Sequence, residues 1–257
     1  MKSELQIIAE IGVNHNGKVN LAKKLIDEAK KCGADAVKFQ TFFAKNFVKK
    51  NKPKIRYQKN NTGTKENHFK MIQKLELKKK DFINLKKYFE KKNIEFISTP
   101  YDLESAKFLQ NIKVKTYKVA SADLSDYLLH KFISKTNSKV IISTGMANLE
   151  EISRTLKIYK NKKKIKLLHC VSNYPCSFKS LNLKCIKLLN KKFQIPVGFS
   201  DHSLGSDAAI IALALGARLF EKHFTLSKKM FGPDHKASMD PKEFKNYIDR
   251  LKLAHQI

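Results

Sequence analysis

The stretch GFSDHSLGSDAAIIALALGARLFEKHFTL, residues 198–226, sets two histidines at the ends of two short apolar runs. His202 follows IPVGFSD and His223 follows ARLFEK, with an apolar, helix-like segment closed by Gly216 between them. Each imidazole has an acid beside it, Asp201 for the first and Glu221 for the second. Strand, helix and strand, with polar groups collected at the strand ends, is a pattern whose meaning depends on whether it recurs.

It recurs along the whole chain. LQIIAE, AVKFQ, IEFIST, TYKVAS, KVIIST, IKLLHC, IPVGFS and ARLFEK are short, β-rich and mostly unbroken, as expected of strands buried on both faces. Helix-period segments separate them: KVNLAKKLIDEAKKCG ends in Gly33 at a C-cap position, and DLESAKFLQN opens on Asp102 as an N-cap. Eight strands alternating with helices over 257 residues predict an α/β fold, a closed (β/α)8 TIM barrel. An open doubly wound sheet is the alternative, but no GxGxxG follows the first strand. No linker or composition shift divides the chain, so residues 1–257 are read as a single barrel domain. Residues 41–77 interrupt the rhythm between the second strand and its helix, and a segment of that length is expected to form part of the substrate wall.

The formal net charge is +29, which raises the question of nucleic acid. Only Arg56, Arg154, Arg218 and Arg250 are arginines, there is no basic tail, and the lysines fall in helical stretches such as LKKKDFINLKKYFEKKN. Base readers favour arginine for bidentate contacts, so the lysines are read as solvated faces that attract anionic substrates, with no nucleic-acid partner. Cys32, Cys170, Cys176 and Cys185 form no CxxC pair and read as reduced thiols. The N-terminus does not resemble a signal peptide, and the longest apolar stretch, AAIIALALGA, is half of the ~20 residues a membrane span needs. The expected location is the cytoplasm, with no membrane partner.

In a barrel all strand ends meet at one face, where the active site forms. Those ends carry Glu10, Lys38 and Gln40, Ser98 and Thr99, Lys118 and Ser121, Ser143 and Thr144, His169 with the loop CVSNYP, Ser200 with Asp201 and His202, and Glu221 with His223. His202 and His223, on adjacent strands, are candidates to share a catalytic divalent ion with open positions; the bland reading is two imidazoles satisfying buried hydrogen bonds. Lys38 and Lys118 sit inside apolar strands, where an ammonium needs an anionic partner. With Ser121, Ser143 and Ser200 they make a phosphate or carboxylate cradle. The alternative is that they pair internally with Glu10 or Glu221.

The segments IIAEIGVNHNG, AVKFQTF, FISTP, YKVAS, STGM, LLHCVSNYP, GFSDHSLG, EKHFTL and GPDHKASMDP occur in one order. Through them, residues 5–250 closely resemble the N-acetylneuraminate (sialic acid) synthase family, which includes legionaminic and pseudaminic acid synthases. The resemblance implies a TIM-barrel transferase that condenses phosphoenolpyruvate with an N-acetylmannosamine-type sugar, giving phosphate and a nine-carbon 2-keto-3-deoxy acid. It places a metal, Mn2+ or Mg2+, on His202 and His223, and phosphoenolpyruvate on Lys38, Lys118, Ser121, Ser143, Asn173 and Ser200. The sugar falls to Glu10, Gln40, Tyr174 and Asp234, with Asn61 as the asparagine from the long segment. Catalytic roles are assigned to Glu10, Lys38, Lys118, Asp123 and Glu221, and a homodimer is expected.

Two departures stand out. SADLSD gives Asp123 where many family members carry glutamate, and the sequence stops at LKLAHQI, where typical members continue into an antifreeze-like domain. The expectation is therefore a barrel without that domain, served by a separate antifreeze-like protein or differing in its sugar. The runner-up reading is a non-catalytic, partner-dependent barrel subunit.

Overall fold

The structure is a computed structural model that describes residues 4–63 and 65–257. The first half comprises β1 (Gln6–Gly12), α1 (Val19–Cys32), β2 (Ala36–Thr41), α2 (Ala44–Phe47), α3 (Arg56–Thr62), α4 (His68–Leu75), α5 (Lys79–Lys92), β3 (Glu95–Pro100), α6 (Leu103–Asn111), β4 (Thr116–Val119) and α7 (Tyr127–Ser134). The second half comprises β5 (Lys139–Ser143), α8 (Leu149–Leu156), β6 (Ile165–His169), α9 (Cys185–Phe193), β7 (Val197–Asp201), α10 (Asp207–Ala214), β8 (Leu219–His223) and α11 (Pro241–Gln256). The strands pair in chain order, all parallel, and β8 closes on β1. This is the (β/α)8 barrel expected from the eight apolar runs. Gly33 ends α1 in the left-handed region at φ 98°, and the Asp102 carboxylate caps α6 by accepting from Ser105 N at 2.8 Å.

The period of two along each strand organises the barrel interior in layers. Ile8, Ala36, Ile97, Ile141, Leu168 and Leu219 form a separate buried cluster, while the outward side chains join the helices in the main core. Gly198 is a point of close approach: a Cβ there would stand 2.2 Å from the Leu219 carbonyl oxygen and 2.8 Å from Leu168. Two residues before the apolar layer the barrel floor is polar, with Glu95 accepting from Thr116 at 2.5 Å and from Gln6 at 3.3 Å. Two residues after it come Glu10, Lys38, Thr99, Ser143, Cys170 and Glu221, all lining one cavity with Lys118 and Ser200.

Residues 41–77 hold three short helices, α2, α3 and α4, that pack on the rim through Phe42, Val48, Met71, Ile72 and Leu75. Lys54 is buried and pins the segment internally, donating to Thr62 Oγ1 at 2.8 Å and to the Gly63 carbonyl at 3.1 Å.

Candidate active site

The strand ends and the long segment enclose a cavity of about 300 Å³. Its base is a four-member charge cluster. Lys38 Nζ lies 2.5 Å from Glu10 and 3.8 Å from Glu221, and Lys118 Nζ lies 3.8 Å from the other oxygen of Glu221. The β1–β2 register sets Glu10 directly opposite Lys38. All four are buried, so each charge depends on the others. Burial, reinforced by Glu221, pushes the Glu10 carboxyl up to about 7 against the pull of Lys38. Burial also acts on Glu221, but Lys118, Lys38 and the Ser200 hydroxyl at 2.8 Å outweigh it and hold that carboxyl down to about 2. Burial pushes the Lys118 ammonium down, only partly offset by Glu221.

Both lysines therefore face an acid and the cavity at once. The internal ion pairs, posed from sequence as the alternative to an anion cradle, are present, and the same side chains line the cavity. Among the described residues Lys118 has no carboxylate closer than 3.8 Å. Ser143 Oγ, buried nearby, has no hydrogen-bond partner among the described residues. Ser121 Oγ accepts from Gly145 N at 3.0 Å and contacts Cys170 Sγ at 3.0 Å. A Cβ on Gly145 would stand 2.5 Å from that sulfur, so the STGM glycine is what lets β5 and β6 close this corner. The Ser143 hydroxyl and two cations make this corner suited to a phosphate or carboxylate.

Next to this cluster His202 and His223 have ring centroids 5.7 Å apart, with Tyr174 4.1 Å from the first and edge-on to the second at 5.4 Å. His202 Nδ1 donates to the Val171 carbonyl at 2.7 Å. That bond, the usual outer partner of a metal-binding imidazole, fixes the tautomer and makes Nε2 the lone-pair nitrogen, with the Ser200 hydroxyl 3.4 Å from it. Buried His223 Nδ1 has no hydrogen-bond partner among the described residues. Among the described residues no group of three or more His, Cys, Asp or Glu is placed to hold an ion. The two imidazoles could hold a divalent ion only if it took its remaining ligands from water and substrate.

The outer wall belongs to the sugar candidates. Gln40 Nε2 donates to Glu10 at 3.1 Å, and Asp234 is pushed up to about 6 by burial, opposed by its hydrogen bond with the Tyr57 hydroxyl. Three expected positions stand apart from the cavity lining. The Asn61 amide is engaged with the Pro233 carbonyl at 2.6 Å. Asn173 is exposed, its carbonyl oxygen accepting from Tyr174 N at 3.1 Å, while the neighbouring Ser172 lines the cavity. Asp123 lies beyond the lining, its carboxyl raised to about 6 by burial and by Asp126.

Several rim residues read from sequence face outward instead. Ser98 bonds Thr41 at 2.7 Å, Thr144 donates to the Leu168 carbonyl at 3.2 Å, and His169 stacks on Phe199. Each is one residue out of phase with an inward neighbour, Thr99, Ser143 and Cys170. Sequence reasoning passed over Tyr57, Gln58, His68 and Tyr101, which line the cavity. The signal for the first three was the interruption at residues 41–77 itself.

Comparison with known proteins gives one consistent set of relatives. The profile of the NeuB family matches residues 25–257. The N,N'-diacetyllegionaminic acid synthase of Campylobacter jejuni subsp. jejuni is 48% identical over 256 residues, covering 98% of this chain and 76% of that protein. The enzyme of the same name from Legionella pneumophila is 43% identical over 257 residues, covering 98% and 72%. Among solved structures, the N-acetylneuraminic acid synthetase of Leptospira borgpetersenii superposes with a TM-score of 0.89 at 35% identity, covering 99% of this chain and 85% of that one.

Proposed function

The chain belongs to the NeuB family of phosphoenolpyruvate-dependent sugar-acid synthases, and on that premise we propose that it condenses phosphoenolpyruvate with an N-acetylmannosamine-type sugar. C3 of phosphoenolpyruvate adds to the aldehyde carbon of the open-chain sugar, water adds at C2, and the C2–O bond to phosphate breaks. The products are a nine-carbon 2-keto-3-deoxy acid and phosphate. The observation that carries this reading is the convergence in one cavity of Lys38, Lys118, Ser143 and Ser200 with the His202–His223 pair.

Lys38 and Lys118 bind the trianion and stabilise charge as phosphate departs. Ser121, Ser143 and Ser200 orient its oxygens. Glu10, tied to Lys38 and Gln40, orients a sugar hydroxyl or moves a proton. His202 and His223 would hold a divalent cation, Mn2+ or Mg2+, that supplies Lewis-acid polarisation of the sugar carbonyl. Gln40, Tyr174 and Asp234 face the sugar, and Tyr57 joins them through Asp234.

For the sugar itself, the legionaminic branch is favoured. Identity to the two legionaminic synthases exceeds the 35% shared with the pseudaminic acid synthase of C. jejuni. Val13, Phe47, Ile72 and Tyr101 give the cavity an apolar side, suited to the methyl and acetamido groups of a deoxygenated sugar rather than to a chain of hydroxyls. Phosphate release from phosphoenolpyruvate, assayed with N-acetylmannosamine and with 2,4-diacetamido-2,4,6-trideoxymannose, tests both levels. Release with neither sugar overturns the synthase reading, and preference for N-acetylmannosamine overturns the choice of branch.

A further inference from the structure

Asp201 and Lys222 are a buried ion pair outside the barrel interior, one residue before each candidate ligand histidine. Lys222 Nζ is 3.1 Å from Asp201 Oδ2, with Asp201 1% and Lys222 3% exposed. They are also register partners, and the β7–β8 ladder reaches its last rung at this pair. Past it, each histidine carbonyl bonds its own loop: His202 O accepts from Cys176 N and His223 O from Met239 N, both at 2.8 Å. No backbone bond ties residue 202 to residue 223.

The pair is tied in turn. Asp201 Oδ1 accepts from Ser203 N at 2.8 Å and Ser203 Oγ at 2.6 Å, folding the chain sharply after His202. The Lys222 ammonium donates to the Ser203 carbonyl, so β8 grips that same turn. From α11, the buried Tyr247 ring lies 5.6 Å from Lys222 Nζ, with its hydroxyl towards the Asp201 carboxylate but not hydrogen-bonded to it. An ion pair taken fully out of water contributes little net stability, and apolar residues would fill the space as well. What this one supplies is a fixed spacing between two strand ends.

We infer that Asp201 and Lys222, backed by Tyr247, are positioning residues that set the separation of the His202 and His223 imidazoles and thereby the affinity for a divalent cation. The inference rests on the metal-binding role given above to the two histidines. The test is Mn2+ binding to the purified full chain without substrates, followed by the paramagnetic resonance of free Mn2+. Wild type binds, and His202→Ala abolishes binding, which locates the ion. In Asp201→Asn/Lys222→Met, a neutral pair of similar shape, Mn2+ Kd rises about tenfold or more in the folded protein, while the phosphoenolpyruvate KM stays within about twofold. A folded double variant with wild-type Mn2+ Kd overturns the inference alone. Wild type without Mn2+ binding sensitive to His202→Ala overturns the metal reading, and the inference with it. Should the double variant fail to fold, Tyr247→Phe decides: Mn2+ Kd rises about threefold as the hydroxyl behind Asp201 is lost, and an unchanged Kd overturns the inference.

Discussion

Lys38 and Lys118 line the same cavity but hold different electrostatic positions. Lys38 is held at 2.5 Å by Glu10, whereas Lys118 stands 3.8 Å from Glu221, its nearest acid. Lys118 is therefore the cation with most to gain from an incoming anion. Lys118→Ala should raise the phosphoenolpyruvate KM and lower kcat/KM by roughly ten- to a hundredfold, about 1.5–3 kcal/mol for a charge-assisted contact. The sugar KM should move less, and steady-state phosphate release resolves the two; a variant whose only change is a lower folded fraction makes Lys118 a structural counter-ion. The two-imidazole site gives a second expectation. With few protein ligands the ion exchanges readily, so chelation should abolish turnover and Mn2+ restore it. An unchanged rate in chelator removes the metal from the reaction.

At the scale of elements, the segment of α2, α3 and α4 contributes to the site by contact and by closure. Tyr57 and Gln58 reach the cavity from α3, and Asn61 on the same helix clips it to Pro233, next to Asp234. Asn61, expected from sequence to touch the sugar, has its amide committed to that clip. Asn61→Ala should thus raise the sugar KM about fivefold, the equivalent of one ~1 kcal/mol hydrogen bond, and speed proteolysis within residues 41–77. Faster loss of sugar affinity without any change in proteolysis would restore direct contact as its role. At the β7–β8 seam the strands approach so closely at Gly198 that Gly198→Ala must part the strands carrying both histidines. It should cost about 3 kcal/mol in urea unfolding, at the upper end of overpacking costs, and weaken activity as well.

For the molecule as a whole, burial of histidines outside the cavity lining makes stability depend on pH. Burial holds His15 down to about 3 and His130 and His235 down to about 4, against 6.5 in the open chain. Between pH 6.5 and 4 the unfolded chain takes up protons the folded one refuses, so these groups remove stability as pH falls through that window. Glu10, raised to about 7, and Asp123 and Asp234, raised to about 6, act oppositely, because there the folded state binds protons first. His130, bonded to the Tyr159 hydroxyl at 2.7 Å, isolates one contribution. His130→Gln should lose on the order of 2 kcal/mol less than wild type between pH 6.5 and 4 in denaturant titrations; equal slopes would mean His130 is protonated within the fold.

The amino-acid sequence by itself determined the element order, the closed barrel and the strands on which the chemistry sits. Eight short apolar runs separated by helix-period segments leave few other topologies, and parallel closure sends every strand end to one face. It did not determine which of two adjacent polar residues faces inward. Strands buried on both faces lose the alternation that would report their phase, so Ser98 and Thr99, or Ser143 and Thr144, look equivalent until the barrel closes. Nor could it show that Asn61 spends its amide on Pro233, that Tyr57 meets Asp234, or that Asp201 and Lys222 pair behind the histidines. Those contacts join residues far apart in the chain, and a side chain's partner there is fixed only when the packing of distant elements excludes water from one geometry and leaves it open to the rest.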